Sequence, residues 1–162
     1  METKKIVFCR TAWMKYYSGM AFDDVATGGG KFVDAHNGDC GEVTNFLDYN
    51  DCCYGYVQPT GARLSLEKVE KDAKNKDYID EVTVIWVAKN PDGSGMKIVG
   101  WYENAVMFRH CQYIDDANLS PLGVEGLSYY FTAAAADCYL LNEEQRTFTV
   151  PSATAAGKGM GM

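Results

Sequence analysis

Apolar and polar positions along this chain fall into short runs of period two, set apart by turn residues. Residues 5–10 form a short apolar strand. Positions 39–47 alternate, with Val43 and Phe46 inward. Positions 53–58 are aromatic and β-branched and end at Pro59-Thr60-Gly61. Positions 62–67 alternate strictly, with Leu64 and Leu66 on one face. Residues 81–88 are apolar at nearly every position from Val82, the signature of a central strand covered on both faces. Asn90-Pro-Asp-Gly-Ser-Gly95 is a hairpin signal, answered by a strand over 96–102. Further short strands follow at 105–109, 129–133, 137–141 and 146–150. Helical signals are fewer. Residues 11–17 predict one or two turns capped by Thr11, and the polar stretch 66–75 predicts a short surface helix. The expected fold is α+β and mainly β: a small β-barrel with a few short peripheral helices. One domain spans 1–150. Residues 151–162, small and rich in Gly and Ala, read as a tail or a linker to a downstream module.

Composition narrows the class. A chain of 162 residues is one domain by size, and folding buries roughly 69% of its surface. No apolar run approaches the ~20 residues of a membrane helix. The first residues carry no apolar signal-peptide core, so a cytoplasmic protein is expected, with its six cysteines as reduced thiols. A zinc site from His36, Cys40, Cys52 and Cys53 is the sharper option. Its spacing is not a standard ligand ladder, so packing thiols and no metal or other cofactor are expected. The net charge of −7 opposes a non-specific nucleic-acid binder. The first 20 residues are locally basic nonetheless: Lys4, Lys5, Arg10 and Lys15 face Glu2 alone.

Catalytic signatures are absent. There is no nucleophile elbow, Walker loop, dinucleotide fingerprint or zinc-protease helix. Gly28-Gly29-Gly30 before Lys31 reads as a flexible loop. His110 and Cys111 are strand neighbours that point to opposite faces. Asp115 and Asp116 sit in a turn-rich stretch. No catalytic residue is assigned, and a binding domain is expected. Aromatic residues, 13% of the chain, are the prominent feature. Trp13, Tyr16 and Tyr17 follow the first strand, Trp86 lies in the central one, and Trp101 and Tyr102 precede Glu103 and Asn104. Such rings either build the core or sandwich a flat or cationic group in a desolvated pocket.

Three stretches carry a family resemblance: residues 5–17 (KIVFCRTAWMKYY), 80–88 (DEVTVIWVA) and 98–109 (IVGWYENAVMFR). Over residues 4–18 and 79–110 the chain resembles the PUA-like superfamily, in its EVE and YTH branches. The resemblance implies a barrel that reads a modified base by flipping it into an aromatic cage. The implied partner is nucleic acid: DNA with modified cytosine in EVE-like modules attached to restriction nucleases, or N6-methyladenine in RNA for YTH domains. It makes the chain the specificity domain of a restriction or defence nuclease, whose nuclease module would lie in the same longer chain. Trp13, Trp86 and Trp101 are the implied cage, with Tyr16, Tyr17 and Tyr102 as secondary walls and Asn104 on the base edge. Arg10, Lys15, Lys89, Lys97 and Arg109 would meet phosphates. The long Gly- and Asp-rich stretch between Gly19 and Asp39 departs from the family pattern, as does the acidic charge. The alternative is a binding module for a small flat metabolite or modified peptide that uses the same aromatic pocket.

Overall fold

The computed structural model describes residues 3–28, 41–122 and 124–151. Seven strands form one sheet: β1 (Lys5–Arg10), β2 (Cys52–Gly55), β3 (Tyr78–Lys89), β4 (Met96–Asp115), β5 (Gly126–Ala134), β6 (Cys138–Leu140) and β7 (Thr149–Val150). The order is β1-β3-β4-β5-β2, and β6 and β7 also pair with β4. β1 runs parallel to β3, and the other pairings are antiparallel. The helical segments among the described residues are short 3-10 turns. The domain is therefore mainly β, and none of those segments is long and apolar enough to cross a membrane.

The expected closed barrel is not formed. Among the described residues β1 pairs only with β3 and β2 only with β5, so the sheet they form has two open edges. It curls until β1 and the chain beyond β2, from Val57 onward, line one cleft across a seam.

The hairpin at 90–95 forms as its turn residues dictate. Asn90 N donates to Gly95 O at 2.9 Å, and Gly93 and Gly95 hold φ of 83° and 105°. The strands it joins are longer than their polarity pattern suggests. In β4, Tyr102 and Ala105 are buried while Glu103 and Asn104 between them are exposed, which breaks period two. Asn104 has a φ of 52°, and opposite it Glu81 has 55°, between buried Ile79 and Val82. These paired bulges shift the register twice, so Tyr102, Ala105, Met107 and Arg109 all face inward.

Three local expectations fail for one reason: other segments claim their backbone groups first. Residues 11–17 are not helical. Thr11 N donates to Val87 O at 2.8 Å, Ala12 N to Glu42 Oε2 at 2.7 Å and Trp13 N to Thr27 O at 2.7 Å. Positions 41–44 form a 3-10 turn instead of a strand, and Asn45 holds Tyr56 from both sides, accepting from its N–H and donating to its carbonyl. Positions 62–67 bend into a 3-10 turn at Leu66–Lys68, although Leu64 N still donates to Arg109 O at 2.9 Å.

The core is aromatic. Trp86 has no exposure and meets Tyr102 and Phe131 edge-on, with centroids 5.5 and 5.7 Å away. Gly55 is required above it, because a Cβ there would come 2.5 Å from the indole. A smaller cluster joins Leu47, Leu119 and Leu127.

Two buried charges hold loops to this core. Arg109 on β4 is 5% exposed. It donates to Lys76 O (2.9 Å), Ala73 O (2.7 Å), Lys74 O (3.2 Å) and Glu67 Oε1 (2.8 Å). Those partners make a desolvated cation tolerable and fasten the 64–77 segment to the sheet. Glu42 accepts the Ala12 N–H. Burial pushes its carboxyl up to about 7, against the lowering effect of that hydrogen bond, of Arg10 and of Thr11.

Replacing Arg109 with Met leaves the carbonyls of the 73–76 turn unpaired, at an expected cost of about 3 kcal/mol in urea unfolding. An unchanged midpoint would show that the guanidinium does not hold this segment. Glu42 yields a pH signature. Its folded pKa lies above the unfolded value, so the folded state binds the extra proton. Its contribution to stability is full below about pH 4.5 and is lost as pH rises through about 7, by on the order of 3 kcal/mol. Glu42→Gln keeps an acceptor for Ala12 N and should remove that slope. A variant with the wild-type slope would assign the titration elsewhere.

Candidate functional site

The seam between the sheet's two edges is a cleft of about 420 Å³. That lies within the usual range of small-molecule sites, roughly 300–1,000 Å³. Its floor is built from alternate inward positions of three strands: Cys9 of β1, Met107 of β4 and Phe131 of β5. Burial pushes the Cys9 thiol up, with Glu42 adding to the effect, so this floor is uncharged at neutral pH. One wall is β1, whose outer edge has no strand partner among the described residues. The other is the chain from Val57 to Val69, turned by Pro59 and Gly61. The rim is polar: Gln58, Thr60 and Ser65, with Arg63 and Lys68.

Among the described residues, the charged side chains lining the cleft are Arg63 and Lys68, and no carboxylate lines it. Glu67 is nearby but turned to Arg109. Its own backbone N–H, then Arg109, with Arg63 adding to the effect, holds its carboxyl below the usual range. The wall itself is anchored. Arg109 grips it from behind, and Lys5 of β1 pairs with Glu70 at 2.7 Å, which also meets Lys76. The arrangement presents apolar surface for a flat group, main-chain groups of β1 that pair with no described residue for its edge, and the Arg63 cation for an anion beside it.

The aromatic residues singled out from the sequence go elsewhere. Trp86, Tyr102 and Tyr17 are fully buried. The hydroxyl of Tyr102 donates to Asn45 O, and that of Tyr17 to Ala12 O at 2.6 Å. The indole N–H of Trp86 meets no acceptor among the described residues. These three rings are core and cannot wall an open cage. Trp13 is 7% exposed. Its Nε1 donates to Glu143 Oε2 at 3.1 Å, and Arg146 lies over its ring at 4.7 Å. Tyr16 beside it is exposed.

Trp101 pairs with Ile85, one position from Trp86, and so lies on the opposite face of the sheet. It stacks on Tyr139 with centroids 5.4 Å apart. With Asn104 it lines a broad outer groove beside Ile85 and Phe148. The three tryptophans therefore do not converge, because the strand period divides them.

The predicted phosphate contacts also divide. Lys97 is buried and donates to Thr149, and Arg109 is the internal clamp, so neither is available to a phosphate. Arg10, Lys15 and Lys89 remain at the surface. Arg10 donates to Gly28 O at 3.3 Å, and Lys15 sits 3.9 Å from Glu143. Of the zinc candidates, Cys52 and Cys53 are neighbours on β2, while His36 and Cys40 lie outside the described residues. Among the described residues no cluster of three His, Cys, Asp or Glu suits a metal.

Reading by residue type missed Arg63, Lys68, Val57 and Met107. The available signal was the Pro59–Gly61 turn followed by a basic residue within an alternating run. Against known proteins, no family model, curated protein or solved structure matches this chain.

Proposed function

We propose that this chain is a nucleic-acid recognition module that takes a modified base, extruded from the helix, into the seam cleft. The observation that carries the reading is the charge of that cleft. In a chain of net charge −7, the charged side chains among its described lining residues are both basic. An extruded base needs an apolar slot for its faces, hydrogen-bonding groups for its edge and cations for the flanking phosphates. The partly exposed Val7, Phe8 and Leu64 offer the first, the outer edge of β1 the second, and Arg63 the third. The resemblance of residues 4–18 and 79–110 to the EVE and YTH branches supports modified cytosine in DNA as the target and a defence nuclease as the setting. The cage is then aliphatic and phenylalanine-walled, not built from three indoles. A small flat metabolite in the same cleft is the second reading. The acidic net charge favours it, because no phosphate backbone must then be met.

Fluorescence anisotropy with labelled duplexes differing in one base separates them: cytosine, 5-methylcytosine, 5-hydroxymethylcytosine, adenine and N6-methyladenine. One modified duplex is expected to bind at least ~10-fold tighter than its plain twin. Arg63→Glu should weaken all duplexes and lower the salt slope by about one. Val57→Trp, which fills the slot, should erase discrimination, and Trp101→Ala should preserve it. Equal affinity for all five duplexes, or a Val57→Trp variant that still discriminates, rejects the reading.

A further inference from the structure

Cys53 and Cys138 are far apart in sequence and adjacent in the fold. Cys53 lies in β2, opposite Ala133 of β5, and its thiol is buried. The chain leaves β5 at Ala134, turns through Ala135–Asp137 and enters β6 at Cys138. Ala135 N donates to Asp51 O at 2.9 Å, which pins that turn against the start of β2. Cys138 packs against the core cluster that holds Cys53, and its Sγ donates at 3.3 Å to the carbonyl of Ala134, the residue after the one Cys53 faces. Both are free cysteines. We propose that Cys53 and Cys138 are a dithiol that a hydroperoxide converts to a disulfide, stapling edge strand β2 to β6.

The chemistry balances with the hydroperoxide as the oxidant. The Cys53 sulfur attacks the outer peroxide oxygen, and the O–O bond breaks. The alcohol or water leaves with the electron pair and takes up a proton, and Cys53 becomes a sulfenic acid. The Cys138 sulfur then attacks the Cys53 sulfur. The S–S bond forms, and the sulfenic hydroxyl leaves with the Cys138 proton as water. Two electrons pass from the two thiols to the peroxide.

The pairing also fits the order of attack. The adjacent Cys138 holds the Cys53 thiol below an ordinary thiol against the effect of burial, and Cys53 raises the Cys138 thiol, whose S–H is turned to Ala134 O. The thiolate is the nucleophile in such reactions. Cys138 is half-exposed, so the pair meets solvent from the β6 side. Among the described strands β2 pairs on one side only, and it runs directly into the cleft wall at Val57. A bond to β6 would give it a second anchor.

The test is oxidation of the full chain with a small excess of tert-butyl hydroperoxide, followed by non-reducing peptide mapping. Exposed Cys111 is the internal comparator. The expected product is a cross-linked peptide pair containing Cys53 and Cys138, lighter by two hydrogens and reversed by dithiothreitol. It should form ~10-fold faster than Cys111 is modified. Cys53→Ala and Cys138→Ser should each abolish the link, and Cys52→Ser should leave it. Because the cross-link is mapped in the unmodified chain, the result does not depend on either variant folding. A link to any other cysteine overturns the proposal. So does a Cys53–Cys138 pair still reduced after Cys111 has reacted.

Discussion

The seam exists because Arg109 is buried. A guanidinium taken out of water is costly unless each donor finds an acceptor. The 64–77 segment supplies them by turning three backbone carbonyls and Glu67 toward one point. Cation and loop are mutually dependent. Without the loop the charge is stranded, and without the charge the carbonyls are. The sheet edge and the wall beside it therefore form as one unit, which keeps a stretch without regular strands in a fixed place. The Lys5–Glu70–Lys76 group ties the same segment to β1 from outside. Exposed pairs of that kind contribute little each, so the internal clamp dominates.

Much of the fold was legible in the sequence, and the legible parts share a property. β1, β3 and the 90–95 hairpin are specified by neighbours along the chain: an apolar run, a turn with glycine where φ is positive, and an answering run. The failures were decisions between distant segments. Thr11 and Ala12 carry good helix-start chemistry, yet their N–H groups are taken by Val87 and Glu42. Whether the sheet closes depends on two edges, β1 and β2, that are far apart in sequence.

The site was harder to read than the fold. Trp86 sits in a run that is apolar at almost every position, which already argued for core. The parity of positions 86 and 101 across the β3–β4 pair is set by bulges that a polarity pattern does not display. Net charge misleads in a similar way, because a total of −7 says nothing about where the cations sit. Arg63 and Lys68 came forward only when the chain beyond β2 was placed opposite β1.

The bulge at Asn104 gives the second half of β4 its facing. A chain without that extra residue would alternate regularly, with Glu103 outward and Ala105, Met107 and Arg109 still inward. Straightening the bulge while keeping its residue would instead exchange the faces of everything beyond it. Ala105, Met107 and Arg109 would then turn to solvent, and Val106 and Phe108 would turn inward. The floor of the cleft and the clamp behind its wall thus hang on the left-handed backbone of a residue that belongs to neither, and the inner surface tolerates a loss of length at position 104 better than a loss of that conformation.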